Sequence, residues 1–231
     1  MSIRPITTLF LLISVDGKIS TGDTNGMDVD KDYPRIKGVR EGLKQYYDLE
    51  RRTDLFSLNS GKVFEKIGVN KKEWKGKKLP VSFIVIDNKP HLNKKGTAYL
   101  CNKSKKVFII TNNKNHPSFQ LKKGYKNLEV LFYKKPPFSK VFRTLKKKYA
   151  IPKITIQTGG TLNSVLLREG LIDHISVVVA PVLVGGKDTQ SLIGGESLHE
   201  EKDLFKIKAL KLKKFKKLKN SYLHLTYDVL N

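Results

Sequence analysis

Between Ile154 and Ala180 the spacing of apolar residues changes twice. Ile154 to Thr158 is a short β-branched run, Leu162 to Arg168 repeats at helical spacing, and His174 to Ala180 is again β-branched until Pro181 stops it. A strand, a helix and a strand in that order read as a βαβ unit, which forces its two strands to run parallel and its helix to cover one face of the sheet. This unit constrains the rest of the chain, because parallel strands keep their ligand crevice at their carboxyl ends.

The first half repeats the alternation. Thr7 to Ser14 is apolar and stops at Asp16-Gly17, a turn signal, so it reads as a buried first strand. From Tyr33 to Arg52 the positions Ile36, Val39, Leu43, Tyr46, Tyr47 and Leu49 recur at helical spacing, with Pro34 suited to the first turn and Asp32 available as a cap. The spacing predicts one long helix there. Leu55 to Leu58, Val81 to Asp87, Lys106 to Thr111 and Leu128 to Tyr133 are short apolar runs bounded by Gly, Asn, Lys or Pro, and Ser139 to Tyr149 reads as a basic amphipathic helix. Beyond the glycine-broken loop Leu183 to Gly195, the alternating segments Lys206 to Lys213 and Tyr222 to Val229 suggest a closing antiparallel pair. The expected fold class is α/β, a mostly parallel central sheet flanked by helices. No linker or repeat divides the chain, so residues 1–231 are expected to form a single domain.

Composition narrows the function classes. The longest apolar run, Leu9 to Ile13, is far short of the roughly 20 residues that span a bilayer, and it lacks the flanks of a secretory signal. The single cysteine, Cys101, excludes an intramolecular disulfide, and the five scattered histidines leave no zinc-binding spacing, so no metal is expected. A reducing compartment, the cytoplasm, is the expected setting. The formal net charge of +24 would ordinarily point to nucleic acid. However, the 45 basic residues are 38 Lys and only 7 Arg, and they are spread along the chain, thickening at Lys146 to Lys148 and between Lys206 and Lys219. Arg is the better reader of bases and phosphates. Nucleic acid is therefore not the expected partner, and the positive field is expected to draw in small anionic molecules.

Two places at strand ends carry chemistry. In Thr158-Gly159-Gly160-Thr161-Leu162 two glycines let a backbone or ligand approach, and the N–H groups of a helix start suit a phosphate, with Thr161 available as a cap. A Gly-Gly pair also serves as a plain tight turn, and it is neither a full G-x-G-x-x-G nor a Walker sequence. In Ser14-Val15-Asp16-Gly17-Lys18-Ile19-Ser20-Thr21 the polar side chains stand where the first strand opens to solvent, suiting substrate contact or proton supply, with an ordinary Asp-Gly turn as the alternative.

Taken together, Ser14 to Thr21, Gln157 to Asn163, Leu166 to Asp173 and Ala180 to Gly186 closely resemble the riboflavin-pathway pyrimidine reductases, the reductase half of the bifunctional deaminase-reductase and its stand-alone relatives. That resemblance implies a dihydrofolate-reductase-like fold, NADPH as cofactor, hydride delivery to C1′ of a ribosylamino-pyrimidine 5′-phosphate, and a homodimer. It implies that Gly159, Gly160, Thr161, Leu162, Asn163 and Val165 hold the cofactor pyrophosphate, that Leu12 touches the cofactor through its backbone and that Asn88 is a further cofactor contact. It sets Asp16 beside the nicotinamide and substrate and Lys18 as a substrate contact, a catalytic pair of which either member could supply the proton, with Thr24 and Gln157 toward the substrate; the family's Arg four residues before Asp54 is absent, and Arg51 and Arg52 nearby are the stand-ins for its phosphate grip.

Departures from the family pattern cluster in Leu58 to Gly68, where Lys62 and Lys66 replace a Thr and an Asp and reverse the local charge, and Gln157 replaces a Glu. A pterin or another small reducible substrate is thus an alternative within the same enzyme class. A nucleotide-binding relative without catalysis is another, and a basic nucleic-acid-binding module is the alternative from a different class. The zinc deaminase half of the bifunctional enzymes is not represented in these residues, so deamination is not expected.

Overall fold

The computed structural model describes residues 3–134 and 137–230. In chain order its elements are β1 (Ile6–Ile13), α1 (Val29–Asp32), α2 (Lys44–Glu50), β2 (Phe56–Ser60), α3 (Gly61–Lys66), β3 (Leu79–Ile86), α4 (Lys94–Lys103), β4 (Ser104–Thr111), β5 (Leu128–Phe132), α5 (Phe138–Tyr149), β6 (Lys153–Ile156), α6 (Gly160–Arg168), β7 (His174–Val179), β8 (Ala209–Lys217) and β9 (Leu223–Leu230). They divide into two compact units. Among the described residues, one comprises residues 3–5 and 54–158, and the other residues 6–53 and 159–230.

In the first unit five strands pair in the order β5-β4-β3-β2-β6, all of them parallel. Parallel strands covered on both faces are apolar throughout rather than alternating. Accordingly Val107, Phe108, Ile109 and Ile110 are successive residues of β4 and all are buried. One face packs Val85, Val107, Ile109 and Val130 against Phe64, Leu92, Leu100 and Cys101, which α3, α4 and the loop between β3 and α4 supply. The amphipathic helix α5 buries Val141, Phe142 and Leu145 and leaves Lys146, Lys147 and Lys148 in its last turn, where they complement the helix dipole.

In the second unit the order is β1-β7-β9-β8, with β1 and β7 parallel and the two remaining pairs antiparallel. Phe10 and Leu12 of β1 and Val178 of β7 pack on Tyr33, Val39, Leu43 and Tyr46, and the rings of Phe10 and Tyr46 stack at 5.3 Å. The closing antiparallel pair forms as the alternation predicts, although β8 begins at Ala209, because Glu201 to Lys206 first turns as a short 3₁₀ segment.

The long helix expected from Tyr33 to Arg52 does not form. A 3₁₀ turn at Tyr33–Arg35 and a series of turns lead to α2, which spans only Lys44–Glu50. Gly38 takes φ +87°, a left-handed conformation that ends a right-handed helix, and a Cβ on Gly42 would strike the ring of Tyr222. The apolar periodicity survives because those turns still face the same core. Asp32 stands at the cap position of that 3₁₀ turn, as expected, but its side chain makes no capping bond there; the side-chain cap belongs to α1, where Asp28 accepts the Asp30 N–H at 2.9 Å. No helix among the described residues is long and apolar enough to cross a membrane.

Candidate active site

Because β1 and β7 are parallel neighbours in register, with Ile13 beside Val179, the loops leaving them emerge side by side. The loop after β1 is short. Gly17, at φ +75°, turns it back so that the Ser14 N–H meets the Lys18 carbonyl at 2.9 Å. The segment after β7 is longer and runs from Ala180 to Gly195 without regular structure. It is fastened to the first loop by backbone bonds from Val15 to Val182, Ile19 to Gln190 and Leu192 to Gly17, each 2.9 Å.

Two side chains complete this fastening. Asp16 accepts the Val184 N–H at 3.1 Å through Oδ1 and the Gly185 N–H at 2.6 Å through Oδ2, and the Ser14 hydroxyl donates to it at 2.5 Å. The Ser14 hydroxyl and these two backbone N–H groups hold its carboxyl down at about 2. It is ionised at neutral pH and is an acceptor, with no proton to give. Lys18 Nζ donates to the Gly186 carbonyl at 2.9 Å, the Thr189 carbonyl at 3.0 Å and the Ser191 hydroxyl at 3.4 Å. The strap from Val184 to Ser191 is therefore gripped by an anion at its N–H groups and by a cation at its carbonyls.

The strap continues over the start of α6. The Gly194 N–H donates to the Gly160 carbonyl at 3.0 Å, and Asn163 Nδ2 donates to the Leu192 carbonyl at 2.8 Å. A Cβ on Gly160 would strike the Ser191 carbonyl, so the second glycine of the Gly-Gly turn is required by the chain's own backbone. Thr161 is not the cap expected of it. Gly159 holds the extended cap conformation (φ −76°, ψ 159°) and its carbonyl accepts the Asn163 N–H at 3.1 Å, leaving Thr161 in the first turn and exposed. Ser164, 1% exposed, carries a hydroxyl with no hydrogen-bond partner among the described residues, beside Gly195.

The structure thus brings Asp16, Lys18, Gly159, Gly160 and Asn163 together through one strap. Leu12 is buried within β1, Leu162 is partly buried on α6 and Val165 is exposed there. Thr24 lies in an exposed turn, and Arg51 follows α2 in an exposed ion pair with Asp48 at 2.9 Å; the side chains that fasten the strap are those of Asp16 and Lys18. Two predicted residues belong to the first unit. Gln157 follows β6 and its Oε1 accepts the Ser57 hydroxyl at 2.8 Å, while Ser57 in turn accepts from Asn59 Nδ2 at 2.8 Å. Asn88 follows β3 and lines a cavity of about 300 Å³ with Ile86, Thr111, Asn112, Tyr133 and Phe138. Sequence reasoning missed Gly186, Thr189 and Ser191, because Lys18 uses backbone carbonyls for two of these contacts and no residue pattern marks a carbonyl.

A family model described as RibD C-terminal domain matches residues 5–224. The chain belongs to that family. Two relatives named 2,5-diamino-6-ribosylamino-4(3H)-pyrimidinone 5′-phosphate reductase are similar to it. That of Methanothermobacter thermautotrophicus is 37% identical over 57 residues, 25% of this chain and 26% of that protein. That of Archaeoglobus fulgidus is 23% identical over 218 residues, 90% of this chain and 94% of that protein. Among solved structures, Acinetobacter baumannii RibD superposes over 100% of this chain with a TM-score of 0.69 at 17% identity, and this RibD C-terminal domain chain spans 59% of its length. At that identity the likeness carries the fold, the dihydrofolate-reductase-like α/β class expected from the sequence.

Proposed function

We propose that the chain is an NADPH-dependent pyrimidine reductase. It converts the ribosyl group of 2,5-diamino-6-ribosylamino-4(3H)-pyrimidinone 5′-phosphate to ribityl, as one reductase domain acting in the cytoplasm as a homodimer. The observation that carries this reading is the match to the A. fulgidus reductase, which covers 90% of this chain and 94% of that protein.

The residues suit a nicotinamide dinucleotide on two independent grounds. The N-terminus of α6 offers N–H groups and the positive end of a dipole, with the buried Ser164 hydroxyl left over for a ligand oxygen. Gly159, Gly160, Thr161, Leu162, Asn163 and Val165 are the residues proposed to hold phosphates there, and the Leu12 backbone is proposed as a further contact. Separately, the cavity lined by Asn88 and Asn112 offers amides and the Tyr133 and Phe138 rings to a flat base. When bound, the cofactor supplies the hydride.

The chain's own residues do the rest. Asp16 stays ionised and fixes the strap, so its role is positioning. Lys18 is the proposed donor to the sugar oxygen released as C1′ is reduced, its ammonium exchanging a strap carbonyl for that oxygen. Thr24, Arg51 and Gln157 are proposed as substrate contacts, Arg51 as the phosphate grip. Dimer formation is supported by the β8–β9 face, where Leu210, Leu212 and Phe215 lie across from Val229, Tyr227 and Leu225 and the three β8 side chains are exposed.

The test is steady-state oxidation of NADPH by the purified chain with this ribosylamino-pyrimidine phosphate, with NADH and a dihydropterin as controls. Oxidation that depends on the pyrimidine is the expected result. Oxidation with the pterin alone, or with neither compound, overturns the reading.

A further inference from the structure

The first unit buries a carboxylate and an imidazole that the proposed reaction does not use. Asp87, directly after β3, and His116, in the loop leaving β4, are each 1% exposed. Asp87 Oδ2 accepts the Leu92 N–H at 2.9 Å and faces His116 Nε2 at 3.0 Å, while Oδ1 accepts the His91 N–H at 3.1 Å. His116 Nδ1 accepts the Ser118 N–H at 3.2 Å, which leaves the ring proton on Nε2, pointing at the carboxylate. Asp87 tolerates burial because donors surround it. The space beside it is equally committed, since a Cβ on Gly61, at the start of α3, would strike the carboxylate.

Three segments therefore meet on one carboxylate: the start of α3, the loop leaving β3 and the loop leaving β4. The last two also carry Asn88 and Asn112, and the Asn112 N–H donates to Asn88 Oδ1 at 3.0 Å at the rim of the cavity of about 300 Å³. Asp87 and His116 do not themselves line that cavity.

We propose that Asp87 and His116 are positioning residues that set the separation of these two strand-exit loops, and through Asn88 and Asn112 the width of a cavity that takes the flat base of a dinucleotide. The identity of that ligand rests on the function proposed above; the role in holding the loops does not. His116→Leu removes the donor to Asp87 and the acceptor for Ser118, whereas His116→Gln keeps a donor that reaches Asp87.

The experiment measures dissociation constants for NADPH and for adenosine 2′,5′-bisphosphate, turnover at saturating cofactor, and amide hydrogen exchange of the unliganded chain. In His116→Leu both ligands are expected to bind about tenfold more weakly, the equivalent of one lost buried hydrogen bond, with turnover within about twofold of the parent. Exchange is expected to quicken at residues 88–92 and 112–118. His116→Gln is expected to restore affinity to within about threefold and to restore the exchange pattern. If His116→Leu does not melt cooperatively, His116→Asn, which keeps the Ser118 acceptor but falls short of Asp87, replaces it. Parent-like exchange in the loops of the folded variant overturns the proposal, as does equal loss of affinity in the Gln variant. A parent that binds neither nucleotide overturns the functional reading instead, and the exchange data then decide the positioning role alone.

Discussion

Asp16 and Lys18, two residues apart on the loop after β1, grip one segment with opposite polarity, the carboxylate at the Val184 and Gly185 N–H groups and the ammonium at the Gly186 and Thr189 carbonyls. Neither grip survives exchange for a neutral side chain. Asp16→Asn keeps shape but turns an NH₂ group toward backbone donors, so amide exchange at Val184 and Gly185 should quicken. Turnover should fall about tenfold or more while NADPH affinity changes little. Steady-state rates and exchange on the same variant check this; parent-like turnover would remove the loop from the active site.

The pH dependence of that latch has a definite sign. The folded carboxyl of Asp16, at about 2, lies below its ordinary 3.8, so its contribution to stability is complete above 3.8 and is lost as pH falls through 2. A plot of log kcat/KM against pH should therefore show no inflection from Asp16 between about pH 4 and pH 8. An inflection in that window that disappears in Asp16→Asn would contradict an ionised, positioning role.

A second pH effect comes from the sheet. Burial, reinforced by Lys214 and Lys216, pushes the His224 imidazole below its usual 6.5, and Nε2 lies 2.8 Å from the Ser176 hydroxyl. The unfolded chain takes up this proton more readily, so the His224 contribution to stability is full above 6.5 and declines as pH falls toward the folded value. Urea unfolding of the parent and of His224→Gln across that range should show the parent losing more stability on acidification. Parallel curves would contradict it.

Two glycines are expected to resist substitution for different reasons. Gly61→Ala would drive a methyl into the Asp87 carboxylate and should cost about 1–3 kcal/mol, read as a lowered Tm. Gly160→Ala would instead strike the Ser191 carbonyl and lift the strap. Its expected mark is loss of NADPH affinity, measured by fluorescence titration, with a parent-like value contradicting the α6 site.

What the sequence made legible was whatever depends on near neighbours. The apolar runs of β1, β3, β4 and β7 and the amphipathic period of α5 announce themselves within a few residues, as does the Gly-Gly junction between β6 and α6. The failures are long-range. Nothing near Gly42 foretells the Tyr222 ring, so the broken helix reads as continuous. Gly160 looks as open to a ligand as to a backbone until Ser191 lies against it. Asp87 and His116, 29 positions apart, meet only because β3 and β4 are parallel neighbours.

The exposed β8 face gives a prediction on assembly. Phe215, 61% exposed in the single chain, should be covered in a dimer, so Phe215→Asp should leave a folded monomer where the parent sediments as a dimer. A monomeric parent would contradict the dimer.

The reduction itself is tested most directly by following the hydride. The chain would be incubated with NADPH deuterated on the transferred position of nicotinamide C4 and with 2,5-diamino-6-ribosylamino-4(3H)-pyrimidinone 5′-phosphate, and the product examined by mass spectrometry and NMR. One deuterium at C1′ of a ribityl product is the expected result. A ribityl product without deuterium, or recovery of the unreduced ribosyl compound, would contradict the assignment of this chain as a pyrimidine reductase.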